Sequence, residues 1–376
     1  MLYIITFLSC LLIDSLSSPQ NRIYRLLLVG WVIVFLCFGY MTGSDWRDYE
    51  LIYEGSLEPS RYAVSEWGFD VLLSFFGRII SDFWIFNALC KMAYLGSFVL
   101  FMRCFTDKVW TAVGVAFVFS LLFILIDCPM RFMISLTFIQ LGFFFFNKKR
   151  HILGTVLFIL SILFHVSALF ILLLLLSSFL FKNICRLPII VLFIIFIVAL
   201  ILPSIPAFFD ILYSGLSFLN PMERIQRIQE EYSEYEVQTY RSIGFWKTVV
   251  FGSFLILSKK YVLGLKNGQL LFYYSFLFII LSGILSCVPT GFRLGIINGY
   301  FFVIVIIELV NRKSFMFSIK PVLKSVGIIA LLVLLSHTVM NDWKYTPYSN
   351  SIKYILTDHL PYSYRDMYNP THNKKQ

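Results

Sequence analysis

The sequence predicts an all-α protein, a polytopic transmembrane helical bundle. Of its 376 residues, 59% are hydrophobic and 14% are charged, whereas soluble domains carry about 25% charged residues. Long apolar runs alternate with short charged loops, and a run of roughly 20 helical residues is enough to cross a bilayer. The lipid bilayer is therefore the first partner that the composition implies.

The net charge of +10 is spread over short loops, in a pattern that predicts topology. Lysine and arginine cluster at residues 22–25, 148–150, 182–186, 259–266 and 312–324. The two long loops, 43–66 and 203–244, are mostly acidic. Because the basic loops of membrane proteins stay in the cytoplasm, the acidic loops are predicted to lie outside. The positive charge thus indicates orientation, and no nucleic-acid partner is expected.

The apolar runs group into about twelve crossings, which put every basic loop on the same side of the membrane. The predicted spans are 1–14, 26–42, 83–102, 109–126, 130–146, 151–165, 166–181, 187–203, 245–258, 269–287, 294–310 and 322–340. Residues 1–340 then form a single transmembrane domain. Residues 341–376 are predicted to form a polar, extracytoplasmic C-terminal tail.

Two segments differ from simple crossings. Residues 66–82 place Phe69, Leu73 and Phe76 on one helical face and Asp70 on the other, which predicts a re-entrant or amphipathic helix. Residues 151–181 are longer than one crossing but short for two. They are predicted to form two short helices that meet near His165, whose side chain then faces a cavity.

Arg131 and Arg293 each follow a proline at the predicted outer end of an apolar run. A guanidinium near lipid is costly, and it is kept either to bind an anion or to reach the headgroups as an anchor. Its planar fork suits the oxygens of a phosphate. The two arginines are therefore candidates for a diphosphate site, with anchoring as the alternative for each.

The first acidic loop supplies candidates for hydroxyl activation and sugar binding. Asp45, Asp48 and Glu66 could activate a hydroxyl or hold a sugar, and solvated loop residues are the alternative. Trp46 and Tyr49 could stack on sugar rings, although aromatic side chains are common at membrane interfaces in any case. Two carboxylates without further ligands make a poor cation site, so no metal is predicted.

Histidine titrates near neutral pH, which makes His165 a candidate for proton transfer or for orienting an acceptor hydroxyl. A hydrogen-bonded packing role is the alternative for this residue. The sequence has no P-loop, no G-x-S-x-G turn, no cysteine and histidine spacing for zinc and no dinucleotide-binding turn. No cofactor is expected.

Several of these residues lie in motifs that resemble those of one family. Residues 43–49, Gly-Ser-Asp-Trp-Arg-Asp-Tyr, resemble the G-T-D-Y-x-x-Y signature of the EpsG family, a Wzy-like group of oligosaccharide polymerases. Residues 66–69 resemble its E-x-G-F, and residues 164–168 resemble its L-F-H-x-S-A. The apolar run that begins at Arg131 resembles one arginine helix of the family. The run with Arg293 and Tyr300 resembles its later arginine helix. The chain departs from the family at residues 38–40, Phe-Gly-Tyr, where an arginine is common.

The resemblance implies a glycosyltransferase of the bacterial inner membrane. Such a polymerase joins polyprenyl-diphosphate-linked oligosaccharide repeat units on the outer face, for capsule, exopolysaccharide or O-antigen, with a flippase and a chain-length regulator as partners. Arg131 and Arg293 would hold the diphosphate, and His165 or Asp45 would activate or orient the acceptor. The further substrate-binding candidates are Asp48, Glu66, Trp46, Tyr49 and Tyr300.

Two other functions stay open at this level. A polyprenyl-phosphate-sugar-dependent glycosyltransferase also has an acidic residue in its first outer loop, but it adds one monosaccharide and makes no ladder of products. A lipid-linked oligosaccharide flippase needs an inward-open cationic cavity along several helices. The candidate arginines lie instead at predicted outer helix ends.

Overall fold

The structure is a computed structural model that describes residues 1–16, 18–43, 45–55, 67–177, 181–205, 208, 243–287, 292–312, 320–341, 344–346, 348–355, 357 and 359–360. Within these ranges the backbone is helical, apart from turns and one antiparallel bridge between Gly39 and Asn350. The predicted all-α class is confirmed for the described part of the chain. Glu66 and nearly all of the loop 203–244 lie outside it.

The described α-helices are numbered in chain order. They are α1 Leu2–Ile13, α2 Arg22–Cys37, α3 Trp46–Tyr53, α4 Trp67–Gly77, α5 Phe83–Met102, α6 Val109–Ala116, α7 Met130–Asn147, α8 His151–Phe164, α9 Ser167–Leu176, α10 Phe181–Arg186, α11 Ile189–Ile201, α12 Ile243–Leu257, α13 Lys259–Leu263, α14 Gly268–Ile284, α15 Phe292–Asn311, α16 Lys320–Asn341 and α17 Ser351–Ile355. A π-helix, Phe117–Asp127, continues α6. Short 3-10 turns precede α2 and follow α11 and α14.

Five helices in the described ranges are long and apolar enough to cross a membrane. They are Pro19–Cys37, Phe83–Met102, Val109–Asp127, Met130–Asn147 and Arg293–Asn311. Eight further apolar helices have 10–17 residues, which is less than the roughly 20 that a straight crossing needs. The predicted count of twelve crossings is therefore not confirmed, although a multi-pass membrane protein is indicated.

The two unusual segments form helices where the sequence predicts them, and the re-entrant or amphipathic character of residues 66–82 stays a prediction. Helix α4 has 11 residues and ends at Gly77, before the following span begins at Phe83. It is shorter than the predicted 66–82 because the chain turns after Gly77, where the amides of Ile79 and Ile80 both donate to the carbonyl of Phe76. Helices α8 and α9 are separated at His165, whose backbone is extended, with φ −160° and ψ 127°.

The chain forms two compact units, which are described separately. Unit 1 comprises Met1–Leu169 and Lys313–Gln376, and unit 2 comprises Phe170–Arg312. In unit 1, α7 packs along α5 and α8, and α1 packs against α2 and α6. In unit 2, α14 packs along α11, α12 and α15. The predicted division into a domain of residues 1–340 and a tail remains a prediction.

Close packing in unit 1 depends on small residues in the helix interfaces. Gly142 of α7 faces the ring of Phe158 on α8, and a Cβ added to this glycine would lie 2.6 Å from Cε1 of that ring. Membrane helices lack a hydrophobic driving force between them, so such close approaches supply much of their association energy. Gly142 thereby brings α8, and His165 at its end, against α7.

The loop 38–43, between α2 and α3, is held by the segment that follows α16. The amide of Tyr40 donates to the carbonyl of Ser349 at 2.9 Å, and the amide of Gly43 donates to the carbonyl of Lys344 at 3.1 Å. Gly43 has φ +86°, and a Cβ on it would overlap the backbone of Asp127. The loop is thus fastened both to the C-terminal segment and to the end of the π-helix.

Replacing Gly43 with alanine is expected to destabilise the protein by about 2 kcal/mol or more, because backbone strain adds to the overlap with Asp127. Gly55→Ala is the matched control: its φ is also positive, at +74°, but nothing lies within 4 Å of an added Cβ. That control should lose about 1 kcal/mol from strain alone. Thermal unfolding in detergent measures both. Equal losses would contradict the close approach.

Candidate functional site

Helices α3 and α7 bring two separate motifs together in unit 1. Nε of Arg131, in the first turn of α7, lies 3.5 Å from the hydroxyl oxygen of Tyr49, and its guanidinium carbon lies 5.8 Å from the centre of that ring. Tyr49 also packs edge-on against Phe69 of α4, with ring centres 5.6 Å apart. Burial raises the pKa of Tyr49 to about 12, although Arg131 lowers it. The phenol is therefore neutral at physiological pH.

Carboxylates surround this pair. Asp45 is half-buried at the start of α3, and its charge acts on Tyr49. Asp48, one turn further, is exposed. Burial raises the pKa of Asp70 on α4, and the nearby Arg131 opposes that rise. Asp70 was assigned only to the polar face of an amphipathic helix from the sequence, and its proximity to Arg131 was missed.

His165, which directly follows α8, also contacts α7. Its ring contacts Phe132, the residue after Arg131, with ring centres 5.3 Å apart. Its Nδ1 is 3.1 Å from the backbone nitrogen of Ser167 and 2.7 Å from the hydroxyl of the same residue. A backbone N–H can only donate, so Nδ1 is an acceptor and the proton of the neutral ring is on Nε2. His165 thus presents a hydrogen-bond donor at Nε2.

Arg293 and Tyr300 belong to unit 2. Both lie on α15, where they are seven residues apart and so share one helical face two turns apart. Arg293 is half-buried and Tyr300 is buried. Arg131 belongs to unit 1, so the predicted convergence of the two arginines stays a prediction. Glu66, another predicted site residue, lies outside the described residues.

Comparison with known proteins places this site in a family context. The chain matches the EpsG family over residues 22–351. It belongs to the EpsG family. No curated protein and no solved structure matches it. The matched range contains the motif at residues 43–49, Arg131, His165 and Arg293. Membership and the apolar helices together suggest a multi-pass, Wzy-like polysaccharide polymerase, an enzyme of the glycosyltransferase type.

In this EpsG-family chain the aromatic residues of the motif at residues 43–49 are buried. Trp46 is 4% exposed and packs against Trp84 of α5, with ring centres 5.6 Å apart. Tyr49 is 6% exposed. Their rings are therefore enclosed by protein, which favours a framework role over open stacking on a sugar. Trp67 of α4, in contrast, is exposed.

Glu50 was counted among the loop acids from the sequence, but it is buried. Its Oε1 accepts a hydrogen bond of 2.8 Å from Nε1 of Trp84. Beside it is a cavity of about 480 Å³, lined in part by Glu54, Asp82 and His359. Asp82 caps α5 by accepting from the amide of Trp84 and also pairs with His359 at 3.4 Å. Among the described residues no group of acids, histidines and cysteines is suited to hold a metal.

Lys91 is a second buried charge that was missed. It is 1% exposed in the middle of α5. A signal was present, because it is the one charged residue in the stretch 83–102. An ionisable side chain inside a membrane helix is by default a functional candidate.

Removing the indole N–H of Trp84 is expected to destabilise the protein by about 2 kcal/mol, because a buried carboxylate loses a hydrogen bond. Trp84→Phe tests this by thermal unfolding, with Trp31→Phe as the control. In the described structure Nε1 of Trp31 has no hydrogen-bond partner, so that variant should change stability by less than about 1 kcal/mol. Similar losses in both variants would show that ring volume, rather than the bond to Glu50, matters.

Proposed function

We propose that the protein polymerises lipid-linked oligosaccharide repeat units at the outer face of the bacterial inner membrane. The observation that carries this proposal is the contact between Arg131 and Tyr49, at 3.5 Å. These residues come from the loop motif and the arginine helix that resemble the family, and the chain matches that family over residues 22–351. Their contact unites the two motifs in one site.

The proposed reaction transfers the growing chain to the next repeat unit. An acceptor hydroxyl oxygen attacks the anomeric carbon of the donor sugar, and the bond from that carbon to the diphosphate oxygen breaks. The bonding electron pair leaves with the polyprenyl diphosphate, and the hydroxyl proton passes to a base. The protein must therefore stabilise charge on the leaving group and hold the acceptor in place.

Arg131 is proposed to bind the diphosphate oxygens. Its charge is constant at any physiological pH, and its fork can make two parallel hydrogen bonds to phosphate. Tyr49 supports the guanidinium from one side, both by its hydroxyl and by its ring face. Arg293, with Tyr300 on the same helix, is proposed as a second diphosphate contact from unit 2.

Hydrogen-bond chemistry suggests different roles for His165 and Asp45 toward the acceptor sugar. Nδ1 of His165 accepts from Ser167, which supports a donor role for Nε2. A ring in this tautomer is suited to orient a hydroxyl or a sugar oxygen, and it has no lone pair free for proton abstraction. Asp45 is therefore the proposed base. Asp48 and Glu66 are proposed to contact sugar hydroxyls, and Trp46 to support the loop that carries them.

The function is tested with purified protein in nanodiscs, given a defined polyprenyl-diphosphate repeat unit. A ladder of products that differ by one repeat is expected. Addition of a single sugar from a polyprenyl-phosphate donor would indicate the monosaccharide transferase instead. Movement of the intact lipid-linked unit across the bilayer without any product would indicate a flippase.

Arg131→Ala and Arg293→Ala are each expected to reduce ladder formation by about 100-fold or more, because a preorganised positive charge at the leaving group is lost. Arg103→Ala is the control, because Arg103 directly follows the C-terminal end of α5 and is exposed. Size-exclusion profiles should be the same for all three variants. Full activity in both site variants would contradict the diphosphate assignment.

The proposed donor role of His165 predicts different results for two amide substitutions. The side-chain N–H of glutamine reaches about as far as Nε2, whereas that of asparagine is shorter. His165→Gln should keep at least about a tenth of the polymerase rate, while His165→Asn and His165→Ala should lose about 100-fold or more. If His165→Gln is as inactive as His165→Ala, Nε2 does not act as a simple donor.

A further inference from the structure

Lys91 is a buried cation of unit 1, which also contains Arg131 and Tyr49. It lies in the third turn of α5, and its side chain is 1% exposed. Its Nζ is 3.8 Å from the position that a Cβ on Gly39 would take. Among the described residues its ammonium has no hydrogen bond and no ion pair. Burying a charge in this way is unfavourable by several kcal/mol unless something compensates for it.

The surroundings of Lys91 connect it to the candidate site. One turn before it on α5, the amide oxygen of Asn87 accepts a hydrogen bond of 3.3 Å from the thiol of Cys128. Cys128 has φ +53° and joins the π-helix to the start of α7, three residues before Arg131. Burial raises the pKa of Cys128 to about 11, and the charge of Lys91 lowers it. The ammonium, together with the carboxylates of Asp45 and Asp127, therefore lies near the turn that leads to Arg131.

A cation near the C-terminal end of α2 could have a purely structural role there, by pairing with the last carbonyl groups of the helix. Three carbonyl groups at this end already have other donors. The carbonyl of Val34 accepts from the side chain of Asn350, that of Phe35 accepts from the hydroxyl of Tyr348, and that of Phe38 accepts from the amide of Ser351. The C-terminal segment, and not Lys91, thus caps these three groups.

We propose that Lys91 binds a phosphate group of the substrate, beside Gly39 and Cys128, and that it forms a two-cation site with Arg131. A Cβ on Gly39 would lie 2.9 Å from Oγ1 of Thr42, so the absence of a side chain there lets this loop lie close beside the ammonium. A diphosphate carries two phosphoryl groups, so an arginine fork and a lysine point charge can each serve one of them. The binding of a diphosphate is inferred from unit 1 alone, while the lipid-linked glycan as its carrier rests on the proposed function.

The two roles of Lys91 predict opposite effects of Lys91→Met. If the ammonium is kept for a ligand, its removal relieves a buried charge, so the variant should unfold at the same temperature as the wild type or higher. If the ammonium instead stabilises the fold, Lys91→Met should unfold at a lower temperature than the wild type. Lys91→Gln provides a second neutral side chain that is polar.

The experiment measures binding of farnesyl diphosphate, inorganic pyrophosphate and farnesol to purified protein in nanodiscs. Lys91→Met and Lys91→Gln should weaken binding of both diphosphates by at least about tenfold and leave farnesol binding unchanged. Lys91→Arg should stay within about threefold of the wild type, because it keeps the charge. Lys148→Met, at an exposed lysine just after α7, is the control and should bind as the wild type does.

Unchanged diphosphate binding by folded Lys91→Met would overturn the proposal. A Lys91→Met chain that fails to fold, or that loses farnesol and diphosphate together, would also overturn it, because Lys91 would then belong to the framework. Wild-type protein that binds diphosphate through Lys91 but makes no ladder would instead overturn the polymerase function and leave the anion site standing.

Discussion

The close approach of Gly43 to the backbone of Asp127 determines how the candidate-site residues of unit 1 lie relative to one another. Two chain segments that are 84 residues apart touch there through main-chain atoms, and the side chain of Thr42 adds a hydrogen bond to the carbonyl of Ile126 at 3.0 Å. Because α3 starts directly after this contact and α7 starts directly beyond it, the relative position of Tyr49 and Arg131 follows from the backbone. A hydrogen bond as long as 3.5 Å is weak by itself, so the main chain must hold the pair.

Unit 1 buries charges where an apolar core would be more stable. Glu50, Lys91 and Asp127 are each less than 7% exposed. Asp127 has Lys344 of the C-terminal segment at 3.7 Å, and Glu50 has the indole of Trp84. Charges buried in this way rarely raise the net stability of a fold. Their position around a single loop is better explained by electrostatic preorganisation, in which charges are fixed before the substrate arrives.

Much of the helical framework was predictable, because it depends on local sequence. The predicted spans 83–102 and 130–146 agree with α5 and α7 to within one residue, since each is bounded by proline or charged residues. The junction at His165 was predictable from length alone. The count of crossings was not, because several apolar runs form helices of 10–17 residues, and apolar composition does not reveal where a helix ends.

The contacts that build the candidate site leave little trace in the sequence. The amide of Tyr40 donates to a carbonyl more than 300 residues away, at Ser349, and no periodicity connects such segments. In the segment predicted to be a polar tail, Lys344, Ser349 and Ser351 form hydrogen bonds to the loop 38–43. Trp46 and Glu50 are both buried against Trp84 of α5, and the sequence gives no sign of this contact between separate segments.

The chemistry of the proposed donor explains why charged side chains alone could suffice for this reaction. A sugar on a diphosphate already carries a good leaving group, so no redox or nucleotide cofactor is needed to activate it. What remains is to stabilise the negative charge that develops on the departing oxygen, and a guanidinium in a water-poor site does so far more strongly than one in bulk solvent. In the proposed mechanism that need is met by Arg131, at the start of the apolar helix α7, where its partner Tyr49 stays neutral.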